Sequence, residues 1–307
     1  MATLRFRADG TFTVAQFTDL HWCNGEPEDL QTSALLAAVI DAERPDLAVF
    51  TGDVIAGRPC RDPAAAWRGA VEPCVRRGLP WAFVFGNHDD EGALDRRALM
   101  EVARGCPGCL AEAGPDGLGV GNYRLEVLAP AGDRAAATLC FVDSGSYAPE
   151  AVGGYTWIRH EQLAWYRGEA AASRRRHGAV LPALTFFHIP LPEWRELWGS
   201  RACRGVRYEE VCCPRLNSGF FTALLEAEET VAAFVGHDHI NDYHGELHGI
   251  GLYYGRASGF HTYGRAGMPR GARLIRLRAG SRGIESWLRL EGGAVVREQP
   301  EHAPGAD

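Results

Sequence analysis

The feature that most constrains the fold is a short apolar run that stops abruptly in a polar cluster. Residues 81–85 (Trp-Ala-Phe-Val-Phe) have the length and composition of a parallel strand buried on both faces. Gly86 ends the run, and Asn87, His88 and Asp89 follow at once. The same arrangement recurs four times. Residues 11–18 lead to Asp19 and His21, residues 47–50 to Thr51, Gly52 and Asp53, residues 184–187 to His188, and residues 230–235 to Gly236, His237 and His239. Helical patterns over residues 29–44, 63–77, 93–104, 161–176 and 220–228 are interspersed with these runs. Such alternation specifies an α/β fold, and in open α/β sheets chemistry collects in the crevice outside the carboxyl ends of the strands.

The remaining segments fit around that frame. Residues 122–128 and 138–143 read as strands joined by a hairpin turn at 130–133. Residues 105–121 form a Gly- and Pro-rich loop, and 191–216 show no regular pattern. From Ile250 onward the chain reads as β, with strands expected at 251–254, 273–278 and 283–290. Neither a repeat nor a linker interrupts the polar motifs. The expectation is one domain over residues 1–297 and a polar tail, 298–307, that frays.

Composition removes several classes of function. All 32 basic residues are arginine, so Schiff-base chemistry, carboxylated-lysine metal bridges and Walker-type phosphate loops are absent. A net charge of −7 gives no general affinity for nucleic-acid backbones. An anionic substrate therefore needs a local positive charge, and bound metal ions are the natural supply. No apolar run approaches the ~20 residues of a membrane span. The first eleven residues contain Arg5, Arg7 and Asp9 and no apolar core, so the expectation is a cytoplasmic protein without a signal peptide. The nine cysteines, including Cys106, Cys109, Cys212 and Cys213, are expected to be ordinary thiols.

Carboxylate, imidazole and amide donors without thiolate suit Mn, Fe, Zn or Mg rather than a cysteine-based structural zinc site. Side chains two apart on an extended segment face the same way, so Asp19 with His21, and His237 with His239, are expected to point together. With His88 set aside, Asp19, His21, Asp53, Asn87, His188, His237 and His239 are too many donors for one tetrahedral ion. They suit two ions ~3.5–4 Å apart with a bridging carboxylate. Taken singly, a lone Asp-x-His arises by chance, a lone Gly-Asp says nothing and a lone His188 is most often a hydrogen-bonded core residue. The tetrads Gly86 to Asp89 and Gly236 to His239 are each moderately specific. All five in order at the ends of strands are specific.

The order Asp19/His21, Gly52/Asp53, Gly86 to Asp89, His188 and Gly236 to His239 resembles the calcineurin-like metallophosphoesterases. Residues 187–193, 217–219, 236–246 and 263–267 are similar to the short, single-domain branch of purple acid phosphatase-like proteins. The resemblance implies a four-layer α/β/β/α sandwich. It implies one ion held by Asp19, His21, Asp53 and His239, a second by Asp53, Asn87, His188 and His237, and a hydroxide between them as nucleophile. It also implies that His88 assists the leaving oxygen of a small-molecule or phosphorylated substrate, with Asp89 orienting the imidazole. Asn217 and His261, with His244 and Tyr263, fall near the last motif as substrate contacts, although turn capping and packing explain them about as well. True purple enzymes carry a tyrosinate ligand three residues after the Gly-Asp aspartate and lack the first-motif histidine. Here Ala56 occupies the first position and His21 is present, so no tyrosinate-to-iron colour is expected.

Overall fold

The computed structural model describes residues 3–305. The first sheet has six strands: β1 (Thr11–Phe17), β2 (Leu47–Thr51), β3 (Trp81–Val84), β11 (Gly271–Arg278), β12 (Ile284–Leu290) and β13 (Val295–Val296), in the order β13-β12-β11-β1-β2-β3. Its β1, β2 and β3 run parallel, and β11 adds antiparallel to β1. The second sheet has eight: β4 (Tyr123–Leu128), β5 (Ala135–Phe141), β6 (Ala183–Phe186), β7 (Cys203–Arg204), β8 (Thr230–Val235), β9 (His244–Leu247), β10 (Ile250–Tyr254) and β14 (Glu301–His302). Their order is β14-β7-β9-β10-β8-β6-β5-β4, with β5, β6, β8 and β10 parallel.

Each sheet carries helices on its outer face. Helices α1 (Pro27–Glu43), α2 (Pro63–Arg76) and α3 (Arg96–Arg104) share one core with the first sheet through Leu36, Trp67, Val71 and Leu99. That core continues between the sheets, where Phe17, Phe50 and Leu274 join Leu139, Leu184, Phe186 and Phe234. Helices α4 (His160–His177), α5 (Pro192–Ser200) and α6 (Phe220–Ala227) cover the other face of the second sheet over Val235, Leu252 and Tyr254. Alternate residues of one strand serve different cores: Ala232 and Phe234 face inward, Ala233 and Val235 outward. The central strands are therefore buried on both faces, which is why their sequences read as continuous apolar runs. The result is two mixed sheets flanked by helices, the expected α/β/β/α layering. No described helix is long and apolar enough to cross a membrane.

Three local departures from the sequence reading have physical causes. The segment 191–216 is not wholly irregular: α5 opens on Pro192 and is pinned by Trp194 and Leu197, both fully buried. Strand β9 was hidden because His-Gly-Glu-Leu lacks alternation. It forms a hairpin with β10 through His248 and Gly249, whose φ values of 50° and 84° suit a two-residue turn. The tail is not without structure over its described part. Glu301 and His302 pair with Arg204 and Cys203, and the His302 ring stacks on Trp198 at 3.7 Å. All nine cysteines are free thiols.

Candidate metal centre

All five polar clusters lie at the carboxyl ends of parallel strands: β1, β2 and β3 in one sheet, β6 and β8 in the other. The two sheets are tied together at this edge. Buried Gln16 on β1 donates to the Val235 carbonyl at 3.0 Å, and the His237 amide donates to Asp19 Oδ1 at 3.0 Å. His188 Nδ1 meets the Thr51 carbonyl at 2.7 Å.

Asp19, His21, Asp53 and His239 offer donor atoms within 4.8 Å of one another, and so do Asp53, His188 and His237. Asp53 belongs to both groups. Its Oδ1 accepts from the His88 amide at 2.8 Å. Its Oδ2 is buried without a hydrogen-bond partner, 3.2 Å from His188 Nε2 and 3.6 Å from His21 Nε2. His21 Nε2 lies 3.3 Å from His239 Nε2, and His239 Nε2 lies 3.6 Å from Asp19 Oδ1. In the second group His188 Nε2 is 3.2 Å from both Asn87 Oδ1 and His237 Nδ1. Asn87 turns its amide nitrogen away, to the Tyr147 hydroxyl at 3.1 Å.

These atoms fit cations. With Nδ1 of His188 donating to a carbonyl, a neutral ring aims its other nitrogen's lone pair at two oxygens. A buried carboxylate oxygen without a donor costs several kcal/mol unless a positive charge faces it. Burial pulls the His188 pKa down, yet the Asp53 charge overrides it and lifts the value to about 9, so a metal would have to displace that proton before Nε2 could serve as a ligand. Burial instead holds His21 near 4 and His237 near 3, as neutral donors. Asp19 falls to about 2 despite burial, through its hydrogen bond and charge contact with His239.

The backbone that brings the donors together differs from the extended one expected. Asp19, His21, Asp53 and His237 have φ of 54°, 48°, 48° and 78°. Left-handed turns, rather than strand alternation, aim these side chains inward, and such backbone is often found at functional sites. Two glycines make room. A Cβ on Gly86 would stand 2.1 Å from Asp53 Oδ1, and one on Gly236 would stand 1.9 Å from Thr18 Oγ1.

The role expected of Asp89 is corrected. Its carboxylate accepts from the backbone amides of Asp53, Ile55 and Gly86 at 3.1, 2.9 and 2.7 Å, which fixes the turns. Burial and the Asp53 charge raise its pKa to about 7. The carboxylate beside His88 is Glu91, at 2.9 Å from Nδ1. The His88 ring is half-buried and 5.2 Å from His21. Burial opposes its charge, but Asp53 and Glu91 raise its pKa above the ordinary imidazole value.

Three further expectations fall away from the cluster. Asn217 is exposed, accepts from the Gly219 amide at 2.9 Å and donates to Glu193 at 2.8 Å, closing a turn just before α6. His244 stacks on Tyr253 in β9. His261 faces Glu26 rather than any of the seven candidate ligands. Sequence reasoning missed Arg96, which is buried, pairs with Asp90 and Asp143, and donates to the carbonyls of Gly86 and Gly145. It also missed Thr262, whose hydroxyl meets His239 Nδ1 at 2.8 Å, and Tyr155, packed edge-on against His237 at 4.3 Å. Tyr263 stacks on His239 at 4.2 Å. Arg96, Thr262 and Tyr155 carry no local motif; each is visible only once the loops are folded.

The family model described as calcineurin-like phosphoesterase matches residues 12–241. The chain is 35% identical to "Probable inactive purple acid phosphatase 29" of Arabidopsis thaliana over 94% of its own length and 84% of the relative's. It is 39% identical to "Probable inactive purple acid phosphatase 28" of the same plant, covering 92% of this chain and 79% of that one. Identity to "Phosphatase DCR2" of Saccharomyces cerevisiae is 32%, over 92% of this chain but only 54% of the yeast protein. Among solved structures, a dimetal phosphatase from Danio rerio superposes with a TM-score of 0.59 at 15% identity, covering 90% of this chain and 98% of that one, which shows the shared fold. From the ordered motifs, the layered sheets and these matches, the chain belongs to the calcineurin-like phosphoesterase family.

Proposed function

We propose that this chain is a phosphomonoesterase that works with two bound metal ions. The observation carrying the reading is Asp53 Oδ2: buried, faced by the imidazoles of His188 and His21, and shared by two groups of metal-capable side chains. Asp19, His21, Asp53 and His239 would hold one ion, and Asp53, Asn87, His188 and His237 the other. Mn, Fe or Zn suits these donors, and Mg is compatible with the oxygens. When bound, the ions supply an acidified water and positive charge toward the phosphoryl oxygens.

The protein's own groups do the rest. His88, half-buried beside the cluster, meets the Glu91 carboxylate at Nδ1, which favours its charged form, and hands a proton to the departing oxygen. Asp89 and Arg96 hold the Gly86-to-Asp90 turn so that Asn87 and His88 point to the same place. Tyr147, bonded to Asn87 and half-exposed, stands at the edge.

The test is hydrolysis of p-nitrophenyl phosphate against its bis-ester by metal-depleted protein given Mn²⁺, Fe²⁺ or Zn²⁺. Faster turnover of the monoester is the expected outcome. Preference for the bis-ester assigns the chain to phosphodiesterases. A second reading, a non-catalytic scaffold, is favoured by the word "inactive" in the plant relatives' names. Hydrolysis of neither ester with any metal, by folded protein, establishes that reading; the complete donor set argues against it.

A further inference from the structure

Beside the candidate centre, the loop after His21 and the loop after β10 gather a group of donors that two-ion chemistry does not use. Cys23 Sγ, a Glu26 carboxylate oxygen and a His261 ring nitrogen lie within 4.8 Å of one another. His261 Nδ1 is 3.4 Å from Glu26 Oε2, yet this nitrogen is buried and makes no hydrogen bond. The Asn24 amide donates to Cys23 Sγ at 3.0 Å and to Glu26 Oε1 at 3.2 Å, which orients both acceptors and leaves Oε2 facing the imidazole. Asp29 spends its oxygens on the amides of Cys23, Gly25 and Glu26, adding negative charge without competing as a ligand.

We propose that Cys23, Glu26 and His261 form a separate site for a soft divalent cation, zinc foremost. Thiolate, imidazole and carboxylate together are zinc donors, whereas Mg and Mn favour oxygen. Neither donor group around Asp53 contains a thiolate. Zinc bonds of about 2.0–2.3 Å place tetrahedral ligands roughly 3.3–3.8 Å apart, so the three donors need draw in by no more than about 1 Å. Water takes the fourth position. The ion ties together two loops that shape the first donor group. Cys23 is two residues beyond His21, and His261 directly precedes Thr262, which bonds His239. The inference stands apart from the proposed hydrolysis and is tested without it.

The full-length protein, reduced and stripped of metal, is titrated with Co²⁺. A cobalt–thiolate bond gives a near-ultraviolet charge-transfer band that carboxylates and imidazoles do not. The band is expected to saturate by three equivalents of Co²⁺ with the intensity of one thiolate site, to be displaced by Zn²⁺, and to persist in Asp53→Ala, in which the shared carboxylate is gone. It is expected to vanish in Cys23→Ser, and Co²⁺ is expected to bind His261→Ala about 10- to 100-fold more weakly. Absence of the band overturns the assignment, as do unchanged titrations of both variants, which would place the thiolate elsewhere. Circular dichroism checks folding. The partly exposed His261 keeps the question answerable if the buried Cys23→Ser variant fails to fold.

Discussion

The two donor groups share Asp53 but are built in different ways. Asp19, His21 and Asp53 in the first all sit on left-handed backbone, and its fourth member, His239, is held by the loop after β10 through Thr262 and Tyr263. In the second, His188 follows β6 directly, is completely buried, and rests on the Thr51 carbonyl of the opposite sheet; only Asp53 and His237 have positive φ. Left-handed conformation costs about 1–2 kcal/mol per non-glycine residue, somewhat less for Asp, so the first group depends on loops that must be held in place. The second leans on the sheets themselves. On the proposed two-ion reading, the contrast teaches that affinity in the first group would be set by its supporting loops, and in the second by the core.

Asp53→Ala is the largest perturbation, because it removes the carboxylate that both groups use. Bound metal is expected to fall below two ions per chain, and turnover of p-nitrophenyl phosphate by on the order of 10³-fold. Metal content and rate measured on the same preparation check this. His88→Ala separates chemistry from assembly. Both ions are retained while turnover falls by roughly 10²-fold. Wild-type turnover in that variant removes His88 from the mechanism.

The pH profile carries the same distinction. In the proposed mechanism His88 acts protonated, and its pKa is raised above the ordinary imidazole value, so activity is expected to persist above that value and to be lost as pH rises through the raised one. Glu91→Gln removes the carboxylate next to Nδ1 and moves this alkaline limb toward lower pH. An unmoved limb assigns it to another group. The comparison between the groups is sharpened by chelation: limiting EDTA is expected to take the first group's ion before the second's. The smallest effect belongs to Thr262→Val, which weakens metal affinity at the first group about 10-fold and leaves the second unchanged, measured by competition with a chelator.

Much of this site was legible because its ligands are delivered by strand ends, and apolar runs such as residues 81–85 announce those ends. His188 and Asn87 needed only that rule. The helices α1, α2, α4 and α6 were legible from the helical spacing of their apolar residues. What stayed hidden depends on contacts remote in sequence. Asp89 and Glu91 are two residues apart and both acidic. Only the fold shows that the first is consumed by the amides of Asp53, Ile55 and Gly86 while the second reaches the imidazole. His261 stands beside the right residue in sequence, yet its ring turns to Glu26 and Cys23. The left-handed turns at Asp19 and His21 were equally invisible, since Asp and His tolerate that backbone without a glycine to mark it.

The central claim is that Asp53 lies between two ions. Anomalous diffraction from crystals loaded with Mn²⁺ tests it most directly. Two peaks ~3.5–4 Å apart on either side of Asp53 Oδ2 are predicted. A single peak, or peaks that leave Asp53 uncoordinated, would contradict it.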